Sequence, residues 1–310
     1  MPSARIADTM TASHIPLRPY PGEIVTRLRF AIMTCALAAL LATPLAAQAP
    51  ALALKTTDLG KGATIVLVPG LGSQRMQWMP TARKLIAGHK VVMVDLPGHG
   101  DSPMPDPFSF DAAASMLDAV LAKQNPESTI VVAHGVGGLI AVMAAKAHPE
   151  HMKGLIVIDG ALKLPMAIPD QQKQMFLESI DANYDMFLRM MFKPLGKDTT
   201  QGVEIYSKAA LVPSQNIKAY MRQLVNADAS GAAKSVKVPL LYVGSSKAWP
   251  DTVQWSVIAK QRGWDEVTQA KTRRIGNSGY LMMADQPDSL ASAIAEFAKQ
   301  VMGKGLSSAE

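Results

Sequence analysis

The chain has 310 residues, of which 48% are hydrophobic, and its formal net charge at neutral pH is +6. This length and composition suffice for one large buried core, but not for two large domains. The lysines and arginines are scattered, with no basic run interleaved with aromatic residues. The composition therefore argues against a nucleic-acid-binding protein.

Residues 1–50 are predicted to be an N-terminal extension that ends in a secretory signal peptide. Within about residues 24–49, Arg27 and Arg29 precede a mostly apolar stretch and then a series of small residues. The apolar stretch is shorter than the roughly 20 residues that cross a bilayer. We therefore expect a periplasmic or secreted protein with no membrane span after cleavage. Retention as an N-terminal membrane anchor is the alternative.

The only cysteine of the chain, Cys35, lies within this apolar stretch. After cleavage the protein would contain no thiol, which excludes disulfides, cysteine metal ligands and a cysteine nucleophile. An exported protein of this kind depends on its hydrophobic core for stability.

Five short apolar runs predict buried strands. Their residues do not alternate with polar ones, which is typical of parallel strands that are covered on both faces. Helical stretches over 76–87, 110–123 and 138–148 separate the first four runs. Alternating strands and helices predict a doubly wound, mostly parallel α/β sheet. The predicted strands cover residues 64–68, 91–94, 130–133, 155–158 and 240–243.

Residues of about 163–235 interrupt this alternation. They contain no strand-like run, and their apolar residues recur at helical spacing. We interpret the segment as a helical cap inserted between two strands of a domain that covers 51–303, with a short tail at 304–310. A lid over a pocket is one role for the cap, although methionine-rich stripes belong more often to a core. The stripe comprises Met175, Phe176, Ile180, Met186, Phe187, Met190 and Met191.

An apolar strand, a tight turn of small residues and a helix meet at residues 133–138. This arrangement has the form of a G-x-S-x-G nucleophile elbow, in which a serine stands on a sharp turn between a strand and a helix. The central position here is Gly135, which has no side chain and cannot supply a nucleophile.

Four further motifs occur around this turn in a characteristic order. Together they resemble the α/β-hydrolase superfamily, in its lidded esterase-like branch, over nearly all of residues 60–302. The resemblance implies an α/β-hydrolase fold with a helical cap, but a fold does not by itself establish an activity. The motifs are Val68-Pro69-Gly70-Leu71-Gly72, the turn from Asp95 to Ser102, the strand end Val243-Gly244, and Asn277-Ser278-Gly279-Tyr280 followed by Asp285-Gln286-Pro287.

The resemblance also implies where a catalytic triad would lie. The nucleophile position is Gly135, the acid position is Lys247 and the histidine position is Tyr280. A serine–histidine–carboxylate relay needs a hydroxyl, a base and an orienting acid, and these positions supply none of the three. The backbone amides of Leu71 and Val136 would form the oxyanion hole of the family.

Three more residues are candidates for a pocket. His134 is interpreted as a packing residue beside the turn, with a catalytic role as the alternative. Asp159 ends the fourth predicted strand, where some members of the family place their acid, and Asp251 is a candidate for a displaced acid. Without a histidine at Tyr280, both carboxylates are explained as polar turn residues. A separate hypothesis pairs Lys247 with Tyr280, whose pKa a nearby ammonium would lower.

The sequence gives no sign of a cofactor or a metal site. The spacing of His148 and His151 is compatible with a metal, but Pro149 argues against a shared helical face and no third ligand is apparent. The Gly70-Leu71-Gly72 segment lacks the third glycine and the acidic residue of a dinucleotide site.

Three functions are consistent with these residues. The first is an exported, non-catalytic relative of the α/β hydrolases (a pseudoenzyme) that binds a small apolar or carbonyl-containing ligand. The second is an esterase-like hydrolase, acting on a carboxylic ester or a related substrate through unusual residues. The third is a structural or protein-interaction module. We favour the first, because none of the triad positions carries the expected reactive group.

Overall fold

The computed structural model describes residues 52–164 and 169–303. The predicted N-terminal extension, signal peptide, Cys35 and C-terminal tail lie outside these ranges. In the two described ranges, no helix is both long enough and apolar enough to cross a membrane.

A seven-stranded sheet forms the centre of the fold. Its strands are β1 (Thr56–Leu59), β2 (Ala63–Val68), β3 (His89–Val94), β4 (Thr129–His134), β5 (Gly154–Ile158), β6 (Leu240–Ser245) and β7 (Ala270–Ile275). They are arranged in the order β1-β3-β2-β4-β5-β6-β7. β1 runs antiparallel to β3, and all other neighbouring pairs are parallel. The predicted mostly parallel α/β sheet is confirmed.

The central strands are the most deeply buried elements. Every residue of β4, β5 and β6 is buried, as are five of the six residues of β2. Helices cover both faces of such a sheet, so each side chain reaches an apolar environment. This burial explains why the strands can be read from the sequence as continuous apolar runs.

The two edge strands, β1 and β7, are not predicted by the sequence. β7 reads Ala-Lys-Thr-Arg-Arg-Ile, and most of its side chains are partly or fully exposed. An edge strand pairs on one side only and tolerates charge, which also protects it from pairing with another molecule. The apolar pattern that reveals the central strands is therefore absent at the edges.

Eleven α-helices occur among the described residues. The first three confirm the helical stretches predicted between the early strands, although residues 75–78 form a 3-10 turn before α1. The helices are α1 (Met79–Leu85), α2 (Phe110–Leu121), α3 (Val136–Ala147), α4 (Asp170–Ala182), α5 (Tyr184–Phe192), α6 (Thr199–Ala209), α7 (Ser214–Leu224), α8 (Ser230–Lys234), α9 (Trp255–Arg262), α10 (Met282–Asp285) and α11 (Pro287–Gly303).

Helices α4 to α8 form the insertion between β5 and β6. Its methionine-rich stripe is only partly core: Ile180 is buried, whereas Met175, Met186 and Met190 are 61%, 52% and 70% exposed. These exposed residues contradict the interpretation of the whole stripe as core. Five of its seven residues line an open groove of about 580 Å³ on the surface of the cap, namely Phe176, Met186, Phe187, Met190 and Met191.

Candidate functional site

The turn between β4 and α3 retains the geometry of an elbow. His134 is the last residue of β4, Gly135 follows it, and α3 begins at Val136. The backbone of Gly135 has φ 54° and ψ −123°, a region that glycine adopts at far lower cost than other residues. The Gly135 amide donates to the Ile158 carbonyl at 2.9 Å, which fixes the turn against β5. The elbow is therefore present without a side chain at its apex.

The side chain of Tyr280 fills the space in front of Gly135. Its Oη lies 3.4 Å from the point where a Cβ on residue 135 would stand. The hydroxyl donates a hydrogen bond to the Leu71 carbonyl at 3.3 Å, and the ring packs on His134 with centroids 4.3 Å apart. Burial, together with the nearby Asp159 carboxylate, raises the pKa of Tyr280 above its usual range. The phenol thus remains a neutral hydrogen-bond donor.

The hypothesis that Lys247 activates Tyr280 is wrong. The Lys247 side chain is exposed, and its Nζ donates to the Gly196 carbonyl at 3.3 Å. The pKa of Tyr280 is raised rather than lowered, because desolvation opposes the charged phenolate. Tyr280 is therefore not a general base near neutral pH.

Two of the triad positions instead bind the cap. Lys247 contacts Gly196 as described, and the Tyr280 amide donates to the Leu195 carbonyl at 3.3 Å. Leu195 and Gly196 connect α5 to α6. Close by, Lys197 forms an ion pair with Asp285 at 2.9 Å. The substituted positions thus hold the cap segment on the loops around the elbow.

His134 lies behind Tyr280 and is completely buried. Neither ring nitrogen has a hydrogen-bond partner among the described residues. Burial lowers the pKa of His134 to about 3, so the imidazole is neutral at physiological pH. These features fit the packing role expected for this residue and give it no acid to orient it as a catalytic base.

Replacing His134 by methionine should make the protein less sensitive to acid. The unfolded histidine binds its proton near pH 6.5 and the folded one only near pH 3, so the wild type loses stability as the pH falls through this window. Methionine adapts to irregular core space and removes two unpaired polar atoms. When the pH falls from 7 to 5, the unfolding free energy of the wild type should drop by about 1–2 kcal/mol more than that of the variant.

Urea denaturation at several pH values measures this difference. The raised pKa of Asp159, about 6, acts in the opposite direction but is present in both proteins and cancels. A difference that does not change with pH would contradict the assignment of His134 as a buried neutral imidazole.

The structure separates the two candidate carboxylates. Asp159 follows β5 with a φ of 50°, is buried, and accepts a hydrogen bond from the Ser245 amide at 2.8 Å. Its burial raises its pKa to about 6, against the opposing effects of the Ser245 hydrogen bonds and the Arg262 charge. Asp251 lies on an exposed turn after β6. Of these two carboxylates, only Asp159 is therefore close enough to Tyr280 to raise the pKa of its phenol.

The two positions that the resemblance assigns to an oxyanion hole lie in different segments. Leu71 lies in the loop after β2, and Val136 is the first residue of α3. Within the described part of the chain, neither backbone amide donates to a protein acceptor. The first amides of a helix carry partial positive charge and attract anions and carbonyl oxygens. These two amides can therefore donate to an oxygen atom of a ligand.

His99 and Asp95 position the loop that carries Leu71, and the sequence analysis did not include them in the site. The His99 Nε2 accepts the Gly72 amide at 3.1 Å, and its Nδ1 lies 3.0 Å from the Pro97 carbonyl. Since the amide only donates and the carbonyl only accepts, the proton resides on Nδ1. Burial lowers the pKa of His99 to about 4, which keeps this arrangement intact at neutral pH.

Comparisons with known proteins identify the fold. A family profile described as the alpha/beta hydrolase fold matches residues 63–201. The pimeloyl-[acyl-carrier protein] methyl ester esterase of Pseudoalteromonas atlantica is 30% identical over 56% of this chain and 62% of its own length. The esterase of that name from Chromobacterium violaceum is 29% identical, over 61% of this chain and 78% of its own length.

Solved structures show the same fold. A hydrolase from Oleispira antarctica superposes with a TM-score of 0.67 at 16% identity, covering 79% of this chain and 94% of the other. An esterase from Thermogutta terrifontis gives a TM-score of 0.66 at 20% identity, covering 80% and 94%. At these identities the likeness concerns the fold alone.

Proposed function

Because this chain has the α/β-hydrolase fold, we propose that it is a non-catalytic relative of the α/β hydrolases that binds a carbonyl- or carboxylate-bearing ligand at its elbow. One observation carries the proposal: Gly135 retains the backbone of the elbow but has no side chain, and the Tyr280 Oη lies 3.4 Å from the point where its Cβ would stand. With no hydroxyl at residue 135 and no base beside it, an acyl-enzyme cannot form there.

The groups around the elbow suit a ligand oxygen. Among the described residues, the Leu71 and Val136 amides have no protein acceptor. The Tyr280 hydroxyl, which donates to the Leu71 carbonyl at 3.3 Å, would turn its proton to the ligand oxygen instead. Gly135 and Tyr280 are partly exposed, so an oxygen atom can approach from outside the core. The relatives named above as methyl ester esterases of an acyl group support a ligand with an acyl chain.

The alternative of an esterase that uses unusual residues has less support. Lys247 is engaged with Gly196, and His134 is neutral and lacks an orienting acid. The proposal also includes export to the periplasm or beyond, which depends on the N-terminal sequence pattern alone.

The proposed function predicts two results for the wild-type protein. A fluorophosphonate probe for active-site serines should leave the elbow unlabelled, and p-nitrophenyl butyrate should not be hydrolysed above background. In amide NMR spectra, titration with octanoate should shift the resonances of Leu71 and Val136, because the carboxylate accepts hydrogen bonds from both amides.

Tyr280→Phe provides the matched control, since it removes a single hydroxyl from the hole. A hydrogen bond to a charged group is worth about 1.5–3 kcal/mol, so octanoate should bind the variant roughly tenfold more weakly or worse. Labelling or ester turnover by the wild type would contradict the non-catalytic assignment. Saturation with octanoate without any shift at the two amides would contradict the ligand site.

A further inference from the structure

We propose that Asp118, His148 and His151 form a binding site for a divalent transition-metal ion, with Zn²⁺ as the ion that fits best. These three residues, the histidine–aspartate cluster, lie at the end of α3 that is remote from the elbow. The cluster plays no part in the function proposed above.

The ligand atoms of the cluster already converge. His151 Nδ1 lies 2.7 Å from one oxygen of Asp118, and His148 Nε2 lies 3.8 Å from the other. One ligand atom from each residue falls within 4.8 Å of the others. Ligands about 2.0–2.2 Å from a tetrahedral zinc ion lie roughly 3.3–3.5 Å from one another. Small side-chain rotations therefore suffice to enclose an ion.

The fold brings the histidines together in a way that the sequence does not reveal. Pro149 prevents α3 from continuing, but residues Pro149–His151 form a 3-10 turn. Side chains three residues apart eclipse each other in such a turn. The imidazoles of His148 and His151 accordingly stack, with centroids 5.2 Å apart and ring planes 13° apart. Packing of α2 beside α3 then supplies Asp118, the third group that the sequence analysis did not find.

The donor set and its surroundings favour a metal over a simple ion pair. Two imidazoles and one carboxylate are a ligand set that zinc uses when a water molecule completes its coordination. His148 directs Nε2 towards the cluster, while its Nδ1 lies 3.0 Å from a Glu150 carboxylate oxygen. A carboxylate on the far nitrogen is the usual outer partner of a metal-bound histidine, because it fixes the ring orientation and tautomer.

The environment of the cluster allows an ion to enter and to stabilise the fold. The side chains of Asp118, His151 and His148 are 15%, 27% and 49% exposed, so one face remains open to solvent. An ion here would link α2 to the carboxyl-terminal end of α3, where positive charge is favourable. We expect the metal to act as a structural clamp between the two helices.

Titration calorimetry of the full chain, without an affinity tag, with ZnCl₂ tests the proposal. The wild type should bind one Zn²⁺ per chain at the cluster, and its melting temperature should rise with the metal concentration. Glu150→Gln, which alters an outer partner, should weaken binding by about 10- to 100-fold, and Asp118→Asn, His148→Ala and His151→Ala, which each remove a ligand, by more than this. The control His89→Ala, at a partly exposed histidine on β3, should bind as the wild type does.

A second readout separates a defined site from weak surface binding. Co²⁺ should give the visible absorption of a four-coordinate ion with the wild type and with His89→Ala, but not with His151→Ala. Melting curves without metal establish that each variant is folded. The proposal is overturned if the folded wild type does not bind Zn²⁺ at micromolar concentration, or if the Asp118, His148 and His151 variants bind as tightly as the wild type.

Discussion

Replacing Asp95 by alanine should lower the free energy of unfolding by about 3–5 kcal/mol, the cost typical of breaking a buried ion pair. Asp95 is completely buried. Its carboxylate pairs with the Arg75 guanidinium, and it accepts the Arg75 amide at 2.6 Å and the Asp101 amide at 3.2 Å. Alanine would remove all of these contacts and leave the Arg75 charge, only 15% exposed, without its buried partner.

Asp101→Ala is the matched control, because Asp101 pairs with the same Arg75 guanidinium. Asp101 binds Arg75 at 2.8 Å from the opposite side, but its side chain is 65% exposed. An exposed ion pair is worth at most about 1 kcal/mol, so Asp101→Ala should change stability by no more than that. Urea denaturation of the two variants measures the difference. Equal losses would mean that burial is not the reason why Asp95 matters.

Because of where Asp95 lies, replacing it should also disturb the loop beside the elbow. Asp95 follows β3 and binds Arg75, which follows the loop that carries Leu71. His99 holds the same loop through the Gly72 amide. The Asp-x-x-Gly-x-Gly turn of the sequence therefore acts as a brace for one half of the oxyanion hole. Asp95→Ala should weaken ligand binding as well as folding.

The sequence predicts those elements of the fold that depend on a single segment and on how deeply it is buried. The run around Ile130 and Val131 is apolar because both of its faces are covered, and this reveals β4 directly. The edge strand β7 contains Arg273 and Arg274, and no apolar pattern marks it. The elbow could be located because its small residues adjoin a recognisable strand and helix.

Contacts between distant segments are beyond such an analysis. Tyr280 reaches the Leu71 carbonyl across 209 residues of sequence, and Lys247 reaches Gly196 in the cap. Neither contact has a spacing signal. Asp118 is likewise 33 residues from His151, and only the packing of two helices brings them together. Motif order thus predicts triad positions, but not the contacts that the residues at these positions make.

Restoring all three triad positions should convert the chain into an esterase. We expect Gly135→Ser/Lys247→Asp/Tyr280→His to hydrolyse p-nitrophenyl butyrate about 10²- to 10⁴-fold faster than Gly135→Ser alone, the usual contribution of a positioned general base. An imidazole is shorter than a phenol, so the histidine would vacate the space beside the new serine. Because the Lys247 amide binds the Ser278 carbonyl at 3.3 Å, an aspartate at 247 would adjoin that histidine.

The single and double variants show which of the three substitutions produces the esterase activity. Gly135→Ser alone should be inactive, since the neutral Tyr280 hydroxyl beside it cannot take its proton. Adding only Tyr280→His should give about 10- to 100-fold over the single variant, because a serine–histidine pair without its acid retains a small part of the triad's effect. A serine at φ 54° costs about 1–3 kcal/mol of stability, and this cost is common to the whole series.

The triple variant also tests the site that the wild type is proposed to use. Its activity requires the Leu71 and Val136 amides to stabilise the oxyanion, and the loss of even one such donor costs about 10²- to 10³-fold in rate. If the variant is folded yet no faster than Gly135→Ser, these amides do not converge on a ligand oxygen. The wild-type protein would then lack the binding site proposed at its elbow, even though its fold remained that of a hydrolase.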